Sequence, residues 1–265
     1  MILDPSKGIL QKINYAKILK PIYYGSLVRN SFAFLCENQI IKHEYERIMG
    51  GLFAGRIAYL PLVTQYVGTT TSKEEARQRL NLPKSKITLL SFGSFHSGKD
   101  LKVIAHALQS LTNVYLLLAG KASYWRIDYI RSIKKEVIVR NYYIPEDEKR
   151  LYFSAADAIV LSYFKSFLER KTAGMLWEGC KFGIPIIASD GGQLGKLVKR
   201  YELGLLFEPE DALSLRKAIF RFLRLSEDEL KRFKRNCKKF SNDFSAEKWS
   251  IRCERIYNYI SSNNV

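Results

Sequence analysis

Four segments carry side chains whose type and spacing suit anionic, hydroxyl-rich ligands. The first, FGSFHSGK at 92–99, follows an apolar run and opens a helical pattern. Its glycines let backbone approach a ligand closely, the helix start favours an anion, and Lys99 adds a point positive charge. It fits neither G-x-x-x-x-G-K-[ST] nor G-x-G-x-x-G, so a plain turn with a solvated lysine explains it equally well. His96 reads as a loop histidine rather than a base. The second, YFKSFLERKTAGMLWE at 163–178, is a polar loop leading into a helix that begins at Thr172-Ala173-Gly174. Small residues at a helix start leave backbone N–H groups free for phosphate oxygens. Glu178 lies four residues after Gly174, hence on the same face one turn along, where a carboxylate can accept both hydroxyls of a ribose; a surface glutamate is the other reading. Glu169 and Arg170 sit side by side on the loop. The third, IIASDGG at 186–192, is a strand end with a glycine pair, a seat for a sugar or phosphate or an ordinary turn. The fourth, KRFKRNCKK at 231–239, places six cations in nine residues on a predicted helix.

The elements that must hold these segments follow from periodicity. From about residue 86 onward, short apolar runs at 87–92, 114–119, 137–139, 158–163 and 184–189 alternate with amphipathic stretches. Such runs, apolar on both faces, predict buried parallel strands joined by crossover helices. The expected fold class is α/β, a doubly wound Rossmann-like parallel sheet whose ligands sit beyond the C-terminal strand ends. Ser72 with Glu75 and Ser226 with Glu229 predict capping boxes, and Pro145 followed by Glu146-Asp147-Glu148 suits a helix first turn. Residues 1–71 differ: they predict a helix at 9–27, a strand at 31–36, a helix at 39–50, an extended piece at 57–61 and a polar linker at 68–72. That is a short, incomplete α/β segment. A core domain at 72–244 and a final helix over 245–265 complete the division. Trp249, Ile251, Ile256 and Ile260 would form the docking stripe of that helix.

Composition bounds the partners. The 265 residues are 47% hydrophobic and 26% charged, which excludes disorder, and the formal net charge of +17 predicts attraction to polyanions. Four cysteines lack paired short spacings and have only three histidines beside them, which points away from a disulfide framework or zinc site and toward a reducing compartment. No uncharged apolar stretch reaches about 18 residues and the N-terminus lacks a signal-peptide core, so a cytoplasmic location is expected. The basic run makes an anionic membrane surface a candidate partner, with peripheral attachment at the inner membrane face. No recognised nucleic-acid motif accompanies the charge, and nucleic acid is not expected.

Taken in order, FG at 92–93 with Lys99, YIPEDE at 143–148, AADAIVLSY at 155–163, TAG at 172–174, EGCKFGIPIIAS at 178–189, GG at 191–192 and GLLFEPED at 204–211 carry a family likeness. They resemble the C-terminal half of the retaining GT-B glycosyltransferases (glycosyltransferase family 4-like, group 1), over residues 87–223. The resemblance implies a UDP- or GDP-linked nucleotide-sugar donor, with Gly93, Ser94, Lys99, Thr172, Ala173 and Gly174 at its diphosphate and Glu178 at its ribose. Asn141, Tyr142, Tyr143 and Ile144 would face the nucleobase, and Glu169 and Arg170 would stand near the donor sugar or phosphate. It implies transfer of a hexose to an acceptor hydroxyl with retention, needing no cofactor and no metal; no residue is assigned as catalytic. The sequence departs from the family pattern in three places. Arg170 stands where the first of two glutamates belongs, Ser94 replaces a common arginine, and residues 1–70 lack the glycine-rich loop and histidine of the N-terminal domain; His43 lies on a helix away from that role. A separate N-terminal domain chain is therefore an expected partner. A non-catalytic nucleotide-sugar binder, a truncated glycosyltransferase and a basic membrane-surface module are the alternatives.

Overall fold

In the computed structural model, residues 34–37, 39–49, 57–63, 71–95, 98–169 and 173–262 are described. The predicted helix at 9–27, most of the linker at 68–72, His96 and the residues Arg170 and Thr172 lie outside them. The chain divides into two compact units, Met1–Pro61 with Trp249–Val265, and Leu62–Lys248.

In the first unit, strand β1 (Phe34–Cys36) pairs in parallel with β2 (Ile57–Tyr59) across helix α1 (Gln39–Met49). Cys36, Ile57 and Leu60 are buried, and burial raises the Cys36 thiol pKa to about 11. Trp249 donates its indole N–H to the Pro61 carbonyl at 2.9 Å. Ile260 is buried but Ile251 is 43% exposed, which corrects the predicted stripe. Ile251 is two residues from Trp249, and about 200° of helical rotation turns it to the opposite face.

The second unit is built from β3 (Ile87–Phe92), β4 (Val114–Ala119), β5 (Val137–Arg140), β6 (Ala158–Leu161), β7 (Ile186–Ser189) and β8 (Gly204–Phe207). Its helices are α2 (Lys73–Arg79), α3 (Leu101–Leu108), α4 (Tyr124–Ile133), α5 (Glu146–Ala155), α6 (Lys165–Leu168), α7 (Met175–Lys181), α8 (Gly192–Tyr201), α9 (Ala212–Leu223), α10 (Glu227–Asp243) and the start of α11 (Ala246–Ser262). All six strands are parallel, in the order β5-β4-β3-β6-β7-β8. The period of two sorts their side chains into two cores. Leu90, Phe92, Leu117, Ile159 and Ile186 meet α5, α7 and α8, while Leu89, Leu116, Leu118, Val160 and Ile187 meet α3, α4 and α9. The sequence reading missed β8 as a strand: its residues alternate between half-buried and buried, as befits a sheet edge, instead of forming a wholly apolar run.

Capping follows the predicted residues with one correction. Ser226 and Glu229 form a reciprocal capping box. Ser72 accepts from the Glu75 N–H, but the Glu75 carboxylate turns to Arg79 at 2.6 Å instead of closing the box. At the N-terminal edge of the sheet, the Asp157 carboxylate accepts the Thr88 N–H at 2.7 Å and pairs with both Arg77 and Lys73. The buried Arg77 guanidinium also donates to the carbonyls of Ala155 at 3.1 Å and Lys84 at 2.9 Å, so one cation ties α2 to the end of α5 and to the turn that precedes β3. Removing its carboxylate leaves a buried charge uncompensated. The Asp157→Ala chain is expected to lose about 3 kcal/mol in urea unfolding, and a loss below about 1 kcal/mol would show that the network is not a structural tie.

Candidate functional site

The strand order reverses between β3 and β6, and a crevice opens at the C-terminal ends of strands where that happens. The loop leaving β3 runs across this point. Gly93 N–H donates to the Ala119 carbonyl at 2.9 Å, Phe164 N–H to Gly98 at 3.1 Å, and Asp100 N–H to Ser162 at 3.0 Å. Lys99 and Tyr163 form an antiparallel bridge there. The result seats the Lys99 side chain between the tips of β3 and β6. The buried Ser189 hydroxyl fastens the β6 side, accepting from the Tyr163 N–H at 3.0 Å.

Lys99 is only 7% exposed, so the solvated-lysine reading is overturned. Its Nζ donates to the Phe92 carbonyl and stands 4.7 Å from the Phe95 ring centroid. Loss of hydration lowers its pKa to about 8, and no carboxylate pairs with it among the described residues. The ammonium sits where the other parts of the site converge: a Cβ built on Gly93 would lie 3.5 Å from Lys99 Nζ and 3.5 Å from Met175 Sδ in the first turn of α7. Gly120, at the tip of β4, is part of this geometry. Its φ is +138°, and a Cβ there would fall 2.1 Å from the Gly93 carbonyl oxygen, so only glycine lets the two strand ends touch. In the sequence Gly120 is the residue that ends the apolar run at 114–119. Its signal was that Phe92 and Ala119, each followed by glycine, fall in register.

The remaining candidates fall into distinct groups. Ala173 is buried and Gly174 exposed directly before α7, and Glu178 donates its N–H to the Gly174 carbonyl at 3.3 Å, one turn along. The Glu178 side chain is 27% exposed and its Oε2 lies 3.7 Å from Lys181 Nζ. Ser94 is exposed, and so is Glu169 at the end of α6. After β5, the Asn141 side-chain oxygen accepts the Ala122 N–H at 2.8 Å, tying this loop to the one after β4, while its Nδ2 is buried without a partner among the described residues. The Tyr142 hydroxyl is engaged by Glu148 at 2.9 Å and Tyr152 at 2.8 Å. Tyr143 is 78% exposed, and Ile144 packs against the core. Gly192 of the predicted glycine pair serves packing: at φ +55° a Cβ would meet the Leu168 carbonyl at 1.9 Å.

The cationic run lies on α10. Phe233, Cys237 and Phe240 are buried in the unit's own cores, while Lys231, Arg232, Lys234, Arg235, Lys238 and Lys239 are exposed. The helix has no free apolar face, so its contact with an anionic surface would rest on charge alone. Among the described residues, no helix is long and apolar enough to cross a membrane, and no cluster of three metal-ligating side chains occurs.

Comparison with known proteins agrees with this architecture. Residues 72–240 match the family model described as glycosyl transferases group 1. The chain is 26% identical over 162 residues to TuaC of Bacillus subtilis (strain 168), assigned to teichuronic acid biosynthesis as a glycosyltransferase; the match covers 60% of this chain and 39% of TuaC. Sucrose-phosphate synthase from Thermosynechococcus elongatus superposes with a TM-score of 0.73 at 22% identity, over 92% of this chain and 62% of that one. Anabaena Alr3699/HepE, solved in complex with UDP-glucose, gives 0.72 at 15% identity, over 99% of this chain and 70% of that one. The chain thus spans well under half of TuaC and less than two thirds of the synthase. Its sheet is that of the GT-B glycosyltransferases, and the chain belongs to the glycosyl transferases group 1 family.

Proposed function

We propose that the second unit binds the nucleotide diphosphate of a sugar donor at the β3/β6 crevice and serves transfer of the hexose to an acceptor hydroxyl. The observation that carries this reading is the buried Lys99 ammonium at the reversal point, beside Gly93 and the start of α7 and without a carboxylate partner among the described residues. A desolvated cation there interacts strongly with a diphosphate, both when it binds and as it departs with added charge. Gly93, Ser94 and the backbone around Thr172, Ala173 and Gly174 line the diphosphate in this reading, and Glu178 accepts the ribose hydroxyls. The unpartnered Asn141 Nδ2 supplies a donor at the nucleobase end, with Tyr142, Tyr143 and Ile144 in the same loop. Glu169 and Arg170 are assigned to the sugar side. The C1–oxygen bond to the diphosphate breaks, a new C1–oxygen bond to the acceptor forms on the same face, and the hydroxyl proton leaves with the diphosphate. No metal or cofactor is invoked. The acceptor is assigned to an N-terminal domain of the kind that completes this fold.

Isothermal titration with UDP, GDP and ADP and their sugar conjugates tests the donor. One nucleotide is expected to saturate, and Glu178→Ala is expected to weaken it at least about tenfold, the worth of a charge-assisted hydrogen bond; unchanged affinity would remove Glu178 from the site.

Lys99 yields a paired expectation. Its folded pKa of about 8 lies below the ordinary 10.5. The unfolded chain therefore holds the proton more tightly, the cost is fully present below pH 8, and stability rises with pH from about 8 toward 10.5. Lys99→Met is expected to stabilise the chain at pH 7 by about 2 kcal/mol, after allowing for the lost hydrogen bond, while abolishing nucleotide binding. In the unsubstituted chain, diphosphate affinity is expected to fall up to about tenfold per pH unit above 8, because binding then requires proton uptake. A flat profile from pH 7.5 to 9.5 would place the anion elsewhere.

A further inference from the structure

A second cavity, of about 740 Å3, opens at the other edge of the same sheet. Asp157 and Pro185, directly before β6 and β7, are in its wall, so it faces the strand starts rather than the ends where Lys99 sits. α10 supplies the opposite wall. Lys234 and Lys238 are four residues apart, which places both on the face that lines the cavity, while Arg235 and Lys239 of the same helix do not line it. The Lys238 stem is laid across Gly183, where a built Cβ would be 2.9 Å from Lys238 Cε. Lys181, its side chain 8% exposed, joins them from the end of α7.

The charges of this wall are not internally satisfied. Like charges at this helical spacing repel, and neither Lys234 nor Lys238 has an ion pair among the described residues. Two carboxylates, Asp157 and Glu247, line the cavity against four lysines, the fourth being Lys73. Asp157 is already committed to Arg77, Lys73 and the Thr88 N–H. Asn242 and Ser245 add neutral hydrogen-bonding groups, and Phe182, its ring stacked on Phe153 at 4.8 Å, adds an apolar side. Lys234 and Lys238, with Lys181 (whose Nζ also lies 3.7 Å from Glu178 Oε2) and neutral donors beside them, suit a ligand with many acceptor oxygens, and the volume exceeds that of a bare anion.

We propose that this cavity is a binding site for a phosphate-bearing anion, separate from the crevice at Lys99 and independent of the sugar-donor reading. Two of the six cations of the basic run thereby belong to a defined site, and the remainder form a solvated face.

The test titrates the full chain carrying Lys99→Met with inorganic pyrophosphate, so that the crevice contributes nothing, and compares two charge-matched double variants in that background. Lys234→Ala with Lys238→Ala is expected to weaken pyrophosphate at least tenfold, and Arg235→Ala with Lys239→Ala less than twofold. Equal losses in the two pairs, or no saturable binding at millimolar pyrophosphate, would overturn the proposal. Amide-exchange protection across Gly183 and residues 234–242 of the unsubstituted chain on adding pyrophosphate is the expected substitution-free result, and unchanged exchange there would also overturn it. Vesicles containing phosphatidic acid distinguish the source of the phosphate. Binding lost only with Lys234 and Lys238 assigns the cavity a lipid headgroup. Binding insensitive to both pairs, with pyrophosphate retained, assigns it a soluble phosphate ester.

Discussion

The reversal of strand order at β3 and β6 is the constraint from which the rest of the second unit follows. Right-handed crossovers place helices on one face while the chain moves outward through β3, β4 and β5, and on the other face once it returns to β6 and continues to β7 and β8. The two cores show this division: α3 and α4 lie in one, α5, α7 and α8 in the other. Between the tips of β3 and β6 neither set of helices covers the sheet. The loop after β3 is drawn across that gap by two backbone hydrogen bonds, Phe164 N–H to Gly98 and Asp100 N–H to Ser162, and Lys99 is carried in with it.

Burying a lysine without a counter-ion is unfavourable for the folded chain, and its depressed pKa is the measure of that cost. The site tolerates it because Nζ keeps the Phe92 carbonyl and the face of Phe95, and because the cost falls on a single cation. At the opposite edge, Arg77 is as deeply buried but is answered by Asp157, so it serves structure. The two cations illustrate a rule for such sheets. A buried charge with its partner built in is a tie, and one with no carboxylate partner among the described residues is where we place an anion.

Positive charge is distributed over the remaining surface in a way that the linear run at 231–239 does not disclose. One helix face is consumed by the cores through Phe233, Cys237 and Phe240, and the flanking cations are split between a cavity wall and open solvent. A count of lysines therefore predicts affinity for polyanions in general, whereas the packing of α10 against Gly183 decides which two lysines can act together.

What the sequence by itself determined was local and periodic. The β3 and β4 runs were legible to the residue because buried parallel strands are apolar on both faces and end in glycine. The Ser226 capping box and the helix after Pro145 were legible because caps use side chains within one turn. β8 was not, since an edge strand buries only alternate residues, and Ile251 was misassigned because a short apolar list does not fix a helix face. Only the tertiary structure decided that Lys99 is buried, that Gly93 must meet Gly120, that Glu75 turns to Arg79, and that Lys181, Lys234 and Lys238 share a cavity. Except for the Glu75 pairing, these join residues from separate strands, helices or loops, or depend on how much water the packing leaves. Burial and through-space contact are properties of the assembled layers that no window of sequence contains.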